Sequence, residues 1–357
     1  MSIDAIGEAR RQVEICNACR YCEGYCAVFP AITSQRSFLD GDIQQLANLC
    51  HDCRGCYYAC QYTAPHEFDL NLPKALGQVR RDSWHQYSFP SGFGAVFQKS
   101  GLAISLAVVI GFAFVFWIAR QFAASADGQG FYAVMSHGLM VAIFLPAFLL
   151  PLFSLMVGLR RYWKAVEGAP VSASHLMSAM HAAARMKHLS GGHGEGCNFE
   201  DEDRFSNARR WWHQLVLYGF LLCFVATSSA TLMHYLLSMP APYAWYALPK
   251  LLGVPGGIAL SVGTVGMLAV KMKSDSALSD QRFYGGEVGF IVLLFLVSTT
   301  GLGLYWFGDG DWLGAWLAVH LGSVLAFFLL MPYSKMAHGF YRMAALTRDA
   351  QRGAEHS

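Results

Sequence analysis

Cys16-Asn17-Ala18-Cys19-Arg20-Tyr21-Cys22-Glu23-Gly24-Tyr25-Cys26 and Cys50-His51-Asp52-Cys53-Arg54-Gly55-Cys56-Tyr57-Tyr58-Ala59-Cys60 are two copies of one spacing, C-x2-C-x2-C-x3-C. They take eight of the chain's ten cysteines. Three thiolates at steps of three wrap one cuboidal iron–sulfur cluster, and in two-cluster ferredoxins the fourth cysteine of each run crosses to the other cluster. The spacing therefore assigns Cys16, Cys19, Cys22 and Cys60 to a first [4Fe–4S] cluster, and Cys50, Cys53, Cys56 and Cys26 to a second. Structural zinc prefers C-x2-C pairs with no third cysteine three residues on. Disulfides need an exported segment, and the residues before Cys16 do not read as a signal peptide. Ala27 and Gln61 stand where a proline usually follows the fourth cysteine, with Pro30 and Pro65 farther on, a departure that bears on loop geometry more than on the ligands.

The rest of the chain is too apolar for an ordinary soluble domain: 54% hydrophobic, 14% charged, with a mean hydropathy of +0.33. Five stretches, 100–119, 128–159, 251–270, 288–308 and 312–334, hold no Asp, Glu, Lys or Arg, and each reaches the roughly 20 residues a spanning helix needs. A sixth, from Trp211, is closed by Pro240, Pro242 and Pro249. The expected spans are about 100–120, 131–159, 211–237, 251–270, 288–307 and 312–338. The expected organisation is a helical two-cluster domain over 1–95, a six-helix membrane domain over 96–345 with a loop at 160–210, and a tail at 346–357. Lys74, Arg80, Arg81 and Lys99 precede the first span; the 160–210 loop, the segment after the fourth span and the C-terminal end are also rich in Lys and Arg, while the alternate loops have none. By the positive-inside rule both termini and the clusters are cytoplasmic.

Asp40 and Asp42 suit the cap of a short helix leading to Cys50, and Pro73 suits the first turn of a helix over 74–85. The cysteine domain thus reads as helical rather than hairpin-rich. In the 160–210 loop, a helix over 171–188 precedes a Gly-rich turn, Cys197 and the acidic run 200–203.

Histidines decide the role of the membrane part, because neutral imidazole is an axial ligand to haem iron and an ionisable group inside a span is a functional candidate. His213 and His234 lie at the two ends of the third span; His320 and His338 lie near the start and just past the end of the sixth. Eighteen residues at 100° return to the same direction, so a single helix would put His320 and His338 on one face. Opposite chain directions then match His213 with His338 at the cytoplasmic level and His234 with His320 at the outer level. At 1.5 Å per residue the levels are roughly 27–32 Å apart, the spacing of two stacked b-type haems rather than one. Interfacial packing is the competing explanation for each pair, and His137 is an alternative outer ligand. His175, His181, His188, His193 and Cys197 have no compact ligand spacing and read as solvated loop residues. Cys223, alone in mid-span, reads as a packing residue.

The doubled cysteine runs, Gly194-Glu195-Gly196-Cys197-Asn198, Arg209-Arg210-Trp211-Trp212-His213, His234-Tyr235, Met331-Pro332-Tyr333-Ser334-Lys335 and His338-Gly339-Phe340-Tyr341 together resemble the tricarballylate-utilisation (citrate-utilisation) protein B family nearly end to end. The resemblance implies a bacterial inner-membrane protein that reoxidises the reduced flavin of a partner tricarballylate dehydrogenase and passes electrons to quinone. The membrane half is also similar in architecture to the di-haem gamma subunit of nitrate reductase.

The residues alone are consistent with that role. The glycines of 191–196 follow no predicted strand and lack the G-x-G-x-x-G spacing, so no flavin or nicotinamide domain is read in the chain. It reads as an electron-transfer component of an oxidoreductase without a dehydrogenase site of its own, and without a nucleic-acid partner. The alternatives are an electron-transfer subunit for another cytosolic dehydrogenase, an iron–sulfur redox sensor on a membrane anchor, and a permease. No DNA-binding or kinase-like segment supports the sensor, and no broken-helix pair repeats between halves as a transporter would require.

Overall fold

The first cysteine run closes a helix and the second follows one, so the two runs are held by helix ends rather than by a sheet. In the computed structural model, which describes residues 5–26, 28–122, 135–200, 203–308 and 311–355, the described chain is helical, with two isolated bridges and no longer strand. The cysteine domain contains α1 (Ala5–Cys19), α2 (Phe29–Thr33), α3 (Asp40–Leu49), α4 (Gly55–Tyr58) and α5 (Leu72–Tyr87). Asp42 caps α3 by accepting the Leu39 amide at 2.8 Å, while Asp40 pairs with Arg10. Asn71 caps α5 by accepting the Lys74 amide at 3.2 Å, and Pro73 sits in the first turn, where its missing N–H has no helical partner to lose. Ala9, Val13, Phe29, Ile32, Ile43, Leu46 and Leu76 are buried between these helices.

Eight more helices follow: α6 (Phe93–Phe122), α7 (His137–Ala165), α8 (Ala173–Ala184), α9 (Ala208–Leu236), α10 (Leu248–Met272), α11 (Tyr284–Phe307), α12 (Leu313–Leu330) and α13 (Ala337–Glu355). Six of them, α6, α7 and α9 to α12, are long and apolar enough to cross a membrane. Residues 123–134 and 309–310, including the first residues of the expected second span, lie outside the described residues, as do Asp201 and Glu202 of the acidic run.

Several boundaries differ from expectation. The sixth span ends at Leu330, and residues 331–336 form turns before α13 begins. Pro332, which has no N–H to continue the helical ladder, falls at that break. His320 and His338 therefore lie on different helices, and the single-helix argument for their shared face fails. The second span runs on past Arg160, Arg161 and Lys164 to Ala165, and α6 starts at Phe93 and kinks at Ser100. The expected tail is the continuation of α13, with Ala345 and Leu346 packed into the cysteine-domain core.

Packing order places α9 on α10, α10 on α11, α11 against α6 and α12, and α7 on α12 and α13. Close backbone approach sets two of these contacts. At Gly219 of α9 an added Cβ would stand 2.5 Å from the Leu260 amide nitrogen and 2.9 Å from the Gly256 carbonyl oxygen. At Gly289 of α11 it would stand 2.5 Å from the backbone of Gly101. Small residues at such crossings let apolar helices gain dispersion contacts without a solvent-driven force. The bundle is joined to the cysteine domain by one buried carboxylate, Glu287 of α11, which meets Arg81 of α5 at 3.2 Å, Lys271 of α10 at 2.6 Å and Lys335 at 3.0 Å.

Gly219→Ala should therefore push α9 from α10 at a cost of about 1–3 kcal/mol, whereas Gly111→Ala in α6, with nothing within 4 Å of its added methyl, should cost nothing measurable. Thermal unfolding of both variants in detergent checks the contrast; equal midpoints would contradict the close α9–α10 approach.

Candidate functional site

Left-handed backbone at three positions folds the cysteine runs inward: Arg20 has φ 57°, Asp52 55° and Arg54 67°. These turns reverse the chain beside the cysteines, and the thiols gather in two groups. Cys16, Cys19, Cys22 and Cys60 line one hollow together with Arg20, Tyr21 and Tyr62. Cys26, Cys50, Cys53 and Cys56 line a second, with His51, Asp52, Arg54 and His188. The fourth cysteine of each run thus stands with the first three of the other.

The chemistry of both hollows suits iron–sulfur clusters. Burial, followed by the neighbouring Cys26, pushes the Cys22 thiol up to about 12, and burial likewise raises Cys16 and Cys50. A thiolate is costly there unless a cationic core binds it. The Asp52 amide donates to Cys50 Sγ at 3.4 Å and the Tyr62 amide to Cys60 Sγ at 3.3 Å, the N–H···S bonds that stabilise cluster thiolates. Among the described residues no three His, Cys, Asp or Glu side chains converge as ligands of a single ion; the thiols stand around a space instead.

The 160–210 loop covers the second hollow. The Asn198 amide donates to the Cys53 carbonyl at 2.8 Å, and the Gly192 amide approaches the Tyr25 carbonyl at 3.4 Å. Arg54, with no exposed surface, donates to the carbonyls of Phe199 and Asp275, each at 3.1 Å, and lies over the Phe199 ring. Cys197 is buried and packs with Cys53 and Phe199, and His188 stacks on His51. These two residues are not the solvated loop groups their spacing suggested: the loop folds back about 145 residues along the chain, which no local pattern encodes. Cys223 packs against Gly256 at the α9–α10 contact, as a small apolar residue should.

Arginines join the second hollow to the bundle. Arg342 of α13 donates to the Cys50 carbonyl at 2.7 Å and contacts the His51 ring, Arg80 of α5 donates to the same Cys50 carbonyl, and Arg209 of α9 donates to the His51 and Asp52 carbonyls at 2.9 and 2.8 Å. Burial, with Arg80 beside it, brings Arg342 down to about 9. In the sequence Arg209 reads as part of the basic motif before His213 and Arg342 as one of the basic residues after the sixth span; that both reach the Cys50–Asp52 loop, each from four residues beside a candidate histidine, is decided by the fold.

Those histidines, His213 and His338, face each other with ring centroids 5.9 Å apart and planes at 79°. Two imidazoles on opposite sides of one iron, with bonds of about 2 Å each, place their centroids about 6 Å apart. His338 Nδ1 is held by the Lys335 carbonyl, the contact that leaves Nε2 as a bare lone pair for a metal. These residues fit a haem ligand pair.

At the far end of the bundle the expected pairing differs. His234 stacks on His137, centroids 4.3 Å apart, and His137 Nε2 shares a hydrogen bond with Tyr235 at 2.9 Å. His320 instead has Nδ1 3.0 Å from Thr300 Oγ1, on the neighbouring α11, and its ring lies over Gly301. Opposite chain directions match His234 with His320 by depth, but the ring that meets His234 is that of His137, the alternative outer residue. Rings 4.3 Å apart are too close to flank an iron, so His137 and His234 as placed hold each other.

Fold and site together define a helical, cysteine-rich, ferredoxin-like domain set on a bundle of six membrane-capable helices. The chain belongs to the citrate utilization protein B family: the family model matches residues 94–356, and the model of that family's Fer4-like domain matches residues 9–86. It is 43% identical over 347 residues to citrate utilization protein B of Escherichia coli, covering 96% of this chain and 91% of that protein. No solved structure matches.

Arg54→Ala would leave the buried Phe199 carbonyl without its donor, at about 1–3 kcal/mol, and remove the partner of the half-buried Asp275 carbonyl. Amide exchange at residues 196–200 should accelerate tenfold or more, while residues of α1 keep their protection. Hydrogen-exchange mass spectrometry reads both segments; unchanged exchange at 196–200 would mean that Arg54 does not hold the cover.

Proposed function

We propose that this protein is a membrane electron-transfer component that reoxidises the reduced flavin of a partner tricarballylate dehydrogenase and delivers the electrons to quinone. The observation that carries the reading is the continuity of its sites. Cys50, Cys53 and Cys56 of the second hollow follow α3, whose Asn48 accepts the Trp84 indole N–H at 3.0 Å, and the Trp84 ring lies 6.4 Å from that of His338. Cysteine ligands and candidate haem ligands thus meet across one buried contact.

In this reading Cys16, Cys19, Cys22 and Cys60 hold one [4Fe–4S] cluster, Cys50, Cys53, Cys56 and Cys26 hold the other, and His213 with His338 holds a b-type haem. His234, His320 and His137 form the candidate set for a second haem at the far end. Bound clusters and haem supply one-electron transfer, which divides a two-electron flavin oxidation into single steps. The covering loop and Arg54 keep water from the second hollow, and His338 is oriented by the Lys335 carbonyl. Lys and Arg flanking the spans set the cysteine domain and both termini in the cytoplasm of a bacterial inner membrane, where the flavoprotein docks. Family membership supports the substrate class, because tricarballylate and citrate are both tricarboxylates; two electrons and two protons leave the dehydrogenated substrate and are taken up by quinone.

A reduced-minus-oxidised spectrum of membranes containing the protein should show a b-type haem band that appears when the partner dehydrogenase and tricarballylate are added. Absence of any haem band would overturn the haem part of this reading. Paramagnetic resonance of reduced variants should group Cys60→Ala with Cys16→Ala and Cys26→Ala with Cys50→Ala, each group losing one cluster signal. Haem per polypeptide should fall by about one in His213→Ala and in His338→Ala. Loss of a further haem in His137→Ala, His234→Ala or His320→Ala identifies the outer ligands.

A further inference from the structure

We infer that Arg209 and Arg342 are positioning residues that clamp the Cys50–Asp52 loop onto the His213–His338 pair, so that the centre held by Cys26, Cys50, Cys53 and Cys56 is the one that passes electrons into the membrane. The inference rests on the proposed electron-transfer role and adds an order to it.

The two arginines come from different helices and do the same thing. Arg209 precedes His213 by four residues on α9, and Arg342 follows His338 by four on α13, so the backbone of each arginine lies about one helical turn, roughly 6 Å, along from that of its histidine. Each spends its N–H groups on the same three-residue loop: Arg342 on the Cys50 carbonyl at 2.7 Å, Arg209 on those of His51 and Asp52 at 2.9 and 2.8 Å. The fixed fork of a guanidinium holds such acceptors in a defined geometry, which a flexible ammonium does not. Among the described residues the other four-cysteine hollow has no such bridge. Its lining, Ile15, Arg20, Tyr21, Gln61, Tyr62 and Leu70, belongs to the cysteine domain alone, and Tyr21 is 66% exposed. Electron transfer through protein falls steeply with distance, so the clamped hollow is the inner one and the open hollow the outer. One electron leaves the centre held by the second cysteine set and one arrives at the centre held by the histidines, with no bond made or broken and no proton moved.

The test uses the full chain purified in detergent with clusters and haem bound. Haem reduction by methyl viologen radical is followed by stopped flow in wild type, Arg209→Gln, Arg342→Gln and Cys53→Ala, the last setting the rate without the second cluster. Both Gln variants should slow haem reduction tenfold or more toward the Cys53→Ala rate. They should also alter the paramagnetic signal of the second cluster and shift its potential downward, leaving the first cluster's signal unchanged. Arg209→Lys and Arg342→Lys keep the charge and lose the fork, so they should restore the potential but not the rate. They also stand in if a Gln variant sheds its cluster. Wild-type rates in variants that retain clusters and haem, or a Cys53→Ala rate equal to wild type, would overturn the clamp while leaving the electron-transfer role standing. A wild-type protein lacking clusters or haem would overturn both.

Discussion

Three consecutive backbone carbonyls, those of Cys50, His51 and Asp52, are the point on which the two halves of the molecule depend. They are withdrawn from water, and each finds a guanidinium: Cys50 from Arg80 and Arg342, His51 and Asp52 from Arg209. A buried carbonyl without a donor costs about 1–3 kcal/mol, so α5, α9 and α13 are each tied to the same loop by a local energetic demand. Arg80 is itself a buried charge, and Arg209 and Arg342 are half-buried ones, so their guanidinium groups need acceptors in turn. Loop and helices therefore stabilise one another, and neither arrangement is reasonable alone.

Glu287 repeats this logic on the other side of the joint. One carboxylate on α11 gathers Arg81, Lys271 and Lys335 from three other segments. Such a cluster is weak evidence of net stability, because desolvation offsets much of the Coulomb attraction, yet removal of the single anion would strand three cations together. Its geometric effect is plainer: the start of α11, the end of α10, the turn after α12 and the cysteine domain are brought into one register. The apolar helices beyond it rely on shape, with glycines at 101, 219, 256 and 289 admitting backbones that any side chain would hold apart.

The candidate site was legible in proportion to how local its determinants are. A step of three is a property of short segments, so spacing picks out the cysteine runs, whereas which fourth cysteine stands beside which run depends on how the fold brings the two segments together. The histidines were legible as residues but only half legible as pairs. His213 and His338 meet as depth alone suggests, because both lie next to the arginines that hold the cysteine loop. At the outer level depth alone did not choose the partner: His234 stacks on His137, and His320 turns to Thr300 of α11. The covering loop escaped altogether: Asn198 meets Cys53, and Arg54 meets Phe199, across about 145 residues of chain.

By itself the sequence determined the composition of this protein: two cysteine runs with their ligand spacing, six helices of membrane-crossing length, and a cluster of basic residues at one end of the bundle. Those follow from periodicity, charge and covalent spacing, which act over a few residues. Only the tertiary structure decided which histidines face each other, that Cys197 and His188 are drawn in beside the second hollow, and that α13 leaves the bundle to pack on the cysteine domain. These are outcomes of burying polar backbone and charge between distant segments, where the partner that satisfies a group is chosen by the fold and not by its neighbours in the chain.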